Sequence, residues 1–232
     1  MSTEQSSKAF WNKAAADNPY YYVSSYGSYD ATRNMEDFWA SGRATWSDIK
    51  RVTGYSPVHD HVVIEIGCGV GRLTRVIAPE VGRVVALDIS DGMLEIARRA
   101  NFPNVDFRVA SGFTLDTVPD LSANLALGYC VFQHLPSTAA LASYVREMHR
   151  VLKPGGTMAF TLVPRDWKAR LLPALRMRAY LRQLVSSNGP KGIYRKEWVG
   201  IRPTPASVRR VSPMRLETHV MGGDRILYFG RR

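Results

Sequence analysis

Val62-Val63-Ile64-Glu65-Ile66-Gly67-Cys68-Gly69-Val70-Gly71 is the stretch that decides the fold. An apolar, β-branched run carries one acid and then reaches glycines at alternate positions. The run reads as a buried parallel strand. The glycines read as a tight turn that lets a ligand come close to the backbone. A helix is expected to follow, from Arg72 to Ala78. Strand, glycine turn and helix together make the nucleotide-binding corner of a doubly wound α/β sheet.

The glycine spacing narrows the ligand. A dinucleotide fingerprint would need its third glycine at position 72, where the chain has Arg72, and Gly71 comes one residue early. A P-loop would need Gly-Lys-Ser/Thr, which does not follow. The corner therefore suits an adenosine ligand and is not built for a pyrophosphate.

The flanking sequence continues the same pattern. Val84 to Asp88 is a second apolar strand ending in a carboxylate. Asp88 lies about 20 residues past the glycines, where such sheets place an acid for ribose hydroxyls. Ser90 and Asp91 can cap the next helix, Met93 to Ala97, which leaves Asp88 for a ligand. A third strand, Val105 to Val109, ends at Ala110-Ser111-Gly112. A fourth, Leu125 to Val131, runs into Phe132-Gln133-His134-Leu135-Pro136. An amphipathic helix follows, with Leu141, Val145, Met148 and Leu152 on one face, and stops at Lys153-Pro154-Gly155-Gly156. Thr157 to Val163 is the fifth strand. At the end, Arg215 to Val220 and Arg225 to Gly230 flank a glycine turn and read as a hairpin.

In these motifs the chain resembles the class I S-adenosylmethionine-dependent methyltransferases, in their bacterial small-molecule, type 11-like branch. The resemblance rests on Glu65 to Gly71, Asp88, Phe132 to Pro136, and Arg150 to Gly156, in the family's order and spacing. It covers roughly residues 60 to 163 and the closing hairpin. It implies a seven-stranded Rossmann-like sheet with one antiparallel strand and S-adenosylmethionine as cofactor. The reaction it implies is methyl transfer to a small-molecule acceptor, read here as a hydroxyl of a sugar, glycolipid or secondary metabolite. The implied cofactor-binding residues are Glu65, Gly67, Cys68, Gly69, Gly71, Asp88, Ile89, Ala110, Ser111, Gly112 and Tyr129. Two positions depart from the family. Ser111 stands nearest to where many relatives carry an Asp for the adenine amino group, and Asn124 stands where an Asp often precedes the fourth strand.

Proximity supplies much of the rate in such a transfer, and a hydroxyl acceptor also needs a base for its proton. His134, just past the fourth strand, is the candidate; a packed histidine that shapes the loop is the other reading. No carboxylate cluster follows the fourth and fifth strands, which disfavours a metal-dependent mechanism. The Asn-Pro-Pro-Tyr type of sequence used on base nitrogens is also missing.

At 232 residues with 45% apolar content, the chain is one domain with additions. Residues 1–59 are dense in aromatic residues, among them Trp11, Tyr22, Phe38 and Trp46. They read as a helical lid over the cofactor cleft, or as plain packing on the sheet. Within them Arg43, in Ser41-Gly42-Arg43, is a candidate fork for the cofactor carboxylate, or a solvated surface residue. Residues 60–232 are the methyltransferase core, with a basic insertion at 163–215.

The charge is segregated. Residues 1–162 carry 15 basic and 16 acidic residues, whereas 163–215 carry 13 basic residues against Asp166 and Glu197. The net +11 of the chain therefore lies in that one segment. It can steer an anionic small substrate, lie on an anionic membrane, bind RNA, or be a solvated helix face. Few aromatic residues interleave with the basic ones, so a nucleic-acid stacking platform is thin. A protein of this fold that binds the cofactor or RNA without turnover, or that methylates RNA, stays open beside the small-molecule enzyme. Two cysteines, Cys68 and Cys130, imply reduced thiols in a cytoplasmic enzyme. No secretory leader or membrane-spanning run is expected from the sequence.

Overall fold

The computed structural model describes residues 2–24, 35–111, 113–163, 200–221 and 225–232. Its centre is a seven-stranded sheet in the order β3-β2-β1-β4-β5-β7-β6. The strands are β1 (Val62–Ile66), β2 (Arg83–Asp88), β3 (Val105–Val109), β4 (Ala123–Gly128), β5 (Leu152–Leu162), β6 (Glu217–Met221) and β7 (Arg225–Arg231). The first five pair in parallel, and β7 runs antiparallel to both β5 and β6. The sheet is therefore that of a Rossmann-like methyltransferase, as its motifs implied.

Alternation along β1 explains its central place. Ile64 and Ile66 point into one apolar core, and Val63 points into the other. The first core is closed by α6 (Thr138–Val151), through Leu141, Val145 and Met148, and by Val208 of α7 (Pro205–Val211). The second is closed by Trp46 and Ile49 of α3 (Met35–Thr53), Ile77 of α4 (Thr74–Ile77) and Leu94 of α5 (Asp91–Arg98). Burying both faces is what a parallel sheet of apolar strands requires.

A third cluster joins the N-terminal helices to the sheet's carboxyl edge. Phe10 and Ala14 of α1 (Thr3–Asp17), Tyr22 of α2 (Pro19–Ser24) and Phe38 pack with Val70 and Met93. A polar latch fixes α1 to the start of α5. Asn12 Oδ1 accepts from Ser90 Oγ at 2.7 Å and from the Gly92 amide at 3.2 Å. Ser90 Oγ in turn accepts from the Met93 amide at 3.1 Å, the N-cap read from sequence.

Several boundaries differ from those expected. The helix after β1 spans only Thr74–Ile77 and tightens into a 3-10 turn at Ala78–Glu80, where Pro79 lacks the N–H a longer helix would use. β4 ends at Gly128, three residues early, because Cys130 takes a left-handed φ of 60° and starts a 3-10 turn at Phe132–His134. Leu152 belongs to β5, not to the preceding helix, and Lys153-Pro154-Gly155-Gly156 lies within that strand. There the β4–β5 register shifts. Asn124 ties the start of β1 to β4, since its Oδ1 accepts from the Val62 amide at 2.9 Å. Most of the basic insertion, 164–199, lies outside the described residues.

Candidate active site

The carboxyl ends of β1, β2 and β4 open into one cavity. Its floor is the glycine turn. The Gly67 and Cys68 amides donate to the Leu87 carbonyl at 2.7 and 3.0 Å, which draws the turn across the end of β2. Gly69 has φ +55°, and a Cβ there would lie 2.7 Å from Val23 Cγ2. Only glycine lets α2 lie this close.

Two buried carboxylates face the cavity. Asp88 accepts from the Gly69 amide at 2.8 Å and the Ser90 amide at 2.9 Å, one bond on each oxygen. Burial pushes its carboxyl pKa up to about 6, against the pull of the Ser90, Gly69 and Ile89 amides. Glu65 is 3% exposed and accepts from Thr74 Oγ1 at 2.6 Å. Burial raises it to about 7, opposed by the Thr74 hydrogen bond and the Arg72 charge, while Asp88 pushes it further up.

The cavity brings together most of the residues singled out by sequence. Glu65, Gly67, Cys68, Gly69 and Asp88 line it, with Ile89, Ala110 and Tyr129 farther along the wall and His134 at the end of β4's loop. Burial raises the Cys68 and Tyr129 pKa values, so both are held protonated. The His134 ring meets Trp11 edge-on, with centroids 5.1 Å apart. Its Nε2 lies 3.2 Å from Gln133 Nε2. The chain returns at Gly200 against this same turn, where the Ile201 amide donates to the Gln133 carbonyl at 3.1 Å.

Three expected residues are elsewhere, and a fourth is not described. Arg43 is exposed on α3 and does not line the cavity, because its side of the helix faces solvent. Gly71 is buried behind the turn, with its amide bonded to the Cys68 carbonyl, and is not in the lining. Ser111 is exposed and donates to Asp116 Oδ1 at 2.7 Å, so its hydroxyl is engaged outside the cavity. Gly112 lies outside the described residues.

The arginine in the cavity wall is Arg72. Its Nη1 donates to Ser41 Oγ and Thr45 Oγ1, both at 3.3 Å, and its guanidinium sits 5.6 Å from the Tyr129 ring centroid. A Cβ on Gly42 would come within 2.7 Å of the Arg72 carbonyl. The sequence signal was thus present in Ser41-Gly42-Arg43, whose first two residues serve Arg72 and not Arg43. Trp11, Tyr22, Phe113 and Tyr144 also line the cavity and carried no motif.

Among the described residues no group of His, Cys, Asp and Glu is placed to hold a metal ion. Nor is any described helix long and apolar enough to cross a membrane.

This sheet order, with the acid-tipped β2 beside a glycine turn after β1, defines the class I methyltransferase fold. Residues 64–160 match the methyltransferase-domain family. It is 35% identical over 105 residues to an uncharacterized methyltransferase of Schizosaccharomyces pombe, covering 45% of this chain and 39% of that one. It is 28% identical over 125 residues to a ubiquinone biosynthesis O-methyltransferase of Paracidovorax citrulli, covering 52% and 51%. The chain thus spans about half or less of these relatives. Magnesium protoporphyrin IX methyltransferase from Synechocystis PCC 6803, solved with bound SAH, superposes with a TM-score of 0.65 at 14% identity, over 98% of this chain and 99% of that one.

Proposed function

We propose that the protein transfers the methyl group of S-adenosylmethionine to a hydroxyl of a small-molecule acceptor. Asp88 carries the reading. It is a buried carboxylate whose two oxygens each hold one backbone amide, leaving acceptor capacity on both for a pair of ribose hydroxyls. The side-chain-free floor at Gly67 and Gly69 suits a ligand lying on the backbone. Ile89 and Ala110 supply apolar wall for an adenine, with Phe113 beside them. The residues present therefore fit the cofactor.

When bound, the cofactor supplies a methyl group made electrophilic by its sulfonium. The chain's part is to hold an acceptor in line with it and to exclude water. His134 is assigned the acceptor proton. In the neutral imidazole the ring nitrogen that carries no hydrogen is the one that receives it. Tyr129 and Cys68, both protonated, shape the wall without competing as bases.

Residues 1–59 are assigned a lid role in part. Ser7, Trp11, Tyr22 and Val23 close one side of the cavity. α3 differs, since Trp46 and Ile49 belong to the sheet's own core. A hydroxyl acceptor agrees with the O-methyltransferase named among the relatives.

Calorimetry tests the cofactor: S-adenosylmethionine and S-adenosylhomocysteine bind, and NAD does not. Heat with NAD alone overturns the reading. Incubation with methyl-labelled cofactor and a metabolite extract then yields a labelled methyl ether; label on protein or RNA alone overturns the acceptor class.

A further inference from the structure

We propose that the β6 edge of the sheet, with the arginines that flank it, is a docking face for an anionic phospholipid bilayer. None of its residues lines the cavity, so the inference stands apart from the cofactor reading.

Charge is the first observation. The described residues from Gly200 onward hold seven arginines against one acid, Glu217. Arg225 is buried, and Arg232 is spent on the carbonyls of His149, Arg150 and Leu152 at the end of α6. Arg209, Arg210 and Arg215 differ. All three are exposed, and none is in an ion pair among the described residues. The opposite edge strand, β3, is a contrast, because Arg83 and Arg108 both pair with Asp106 there. One edge of the sheet is thus neutralised by its own carboxylate, and the other is left cationic. Uncompensated like charges repel one another and attract an anionic partner.

The arginines are arranged around the strand. β6 is the last strand of the sheet, and Glu217, Thr218, His219 and Val220 are all exposed. A groove beside α7 is lined by Arg209, Met214, Arg215 and Thr218. A second groove, beside the end of α3, is lined by Thr53, Thr157, Arg215 and Arg231. Arg215 lines both and so joins them around the edge. Val220, at the same edge, is 74% exposed.

The composition of the face selects its partner. Single-stranded nucleic acid needs exposed rings on which bases stack. The rings of β7 are turned away, Tyr228 into one core and Phe229 against the other. A second copy of this chain would set the same arginines against each other. An anionic bilayer meets both features, with phosphates for the arginines and an interfacial region for the Val220 side chain. The sequence that leads into Gly200 also sets leucines among arginines, as at Leu175-Arg176 and Leu181-Arg182. Docking by this face places the enzyme beside acceptors dissolved in the bilayer.

The test uses the full chain and vesicles of phosphatidylcholine, alone or mixed with phosphatidylglycerol, read by co-sedimentation. Wild type sediments with the mixed vesicles and not with the neutral ones, and releases them as salt rises. Each basic residue near an anionic membrane changes affinity by about 5-fold, so Arg209→Gln/Arg210→Gln/Arg215→Gln weakens binding by roughly 100-fold. A melt confirms that this variant is folded. Arg209→Lys/Arg210→Lys/Arg215→Lys keeps most of the binding, since a bilayer reads charge. A wild type that ignores the mixed vesicles, or binds the neutral ones equally, overturns the proposal. So does full binding by the glutamine variant with loss in Arg176→Gln/Arg178→Gln/Arg182→Gln, which would move the contact to 164–199. An arginine-dependent gel shift with an RNA oligomer, or an arginine-dependent dimer in sedimentation velocity, each without vesicle binding, also overturns it.

Discussion

The Gly69 amide donates to the Asp88 carboxylate at 2.8 Å, so the turn after β1 and the tip of β2 are one mechanical unit. The acid assigned to the ribose also braces the glycines on which the rest of the ligand lies. A change at either residue is felt at both.

Asp88→Ala is therefore expected to weaken S-adenosylhomocysteine by about 1.5–3 kcal/mol, the loss of hydrogen bonds to a charged acceptor. Calorimetry gives the affinity and a thermal melt gives the fold. Unchanged affinity with a collapsed melting temperature would assign Asp88 to bracing alone.

The stability of the ligand-free protein should fall as pH rises. Glu65 releases its proton at about 7 when folded, against an ordinary value of 4.5. Between those values the folded state holds the proton that the unfolded state has lost, so rising pH favours unfolding. The cost is absent below the lower value and complete above the higher one. Asp88, raised from 3.8 to about 6, acts with the same sign over a lower window. Melts from pH 4 to 8 should decline for wild type and less for Glu65→Gln. Parallel profiles would rule out the Glu65 contribution.

His134→Ala should cut kcat by roughly 100- to 10,000-fold while cofactor affinity holds, the mark of a proton-transfer role. Because Trp11 packs on the ring, the affinity measurement matters. Parallel losses in both would make His134 a shaping residue of the turn.

Gly69→Ala should destabilise by about 1–2 kcal/mol through its left-handed backbone and more through the 2.7 Å approach to Val23. Adding Val23→Ala should recover the steric part and leave the backbone part. Chemical denaturation of the three variants separates the two; full recovery would place the whole effect in the contact.

The sheet was readable because its determinants are local. Apolar β-branched runs, each ending at glycine or an acid, give strand positions and the carboxyl edge together. Boundaries were less readable where a distant group intervenes. The early end of β4 follows from the left-handed backbone at Cys130, whose amide is held by Thr161 Oγ1 of β5, and the start of β5 at Leu152 depends on pairing with Ala123. The site divided in the same way. Glu65, Gly69 and Asp88 sit on contiguous motifs, whereas Arg72 is recruited by hydroxyls 31 and 27 residues away. The Ser111 hydroxyl meets Asp116 of its own loop, a contact that no motif signalled.

The chain leaves the sheet at Leu162 and is clasped again at Gly200, whose α-carbon leaves room for the Gln133–His134 backbone. A Cβ on Gly200 would meet the Gln133 carbonyl and the His134 α-carbon. A substitution at that one position is therefore transmitted to the turn that carries His134, although the two are far apart along the chain.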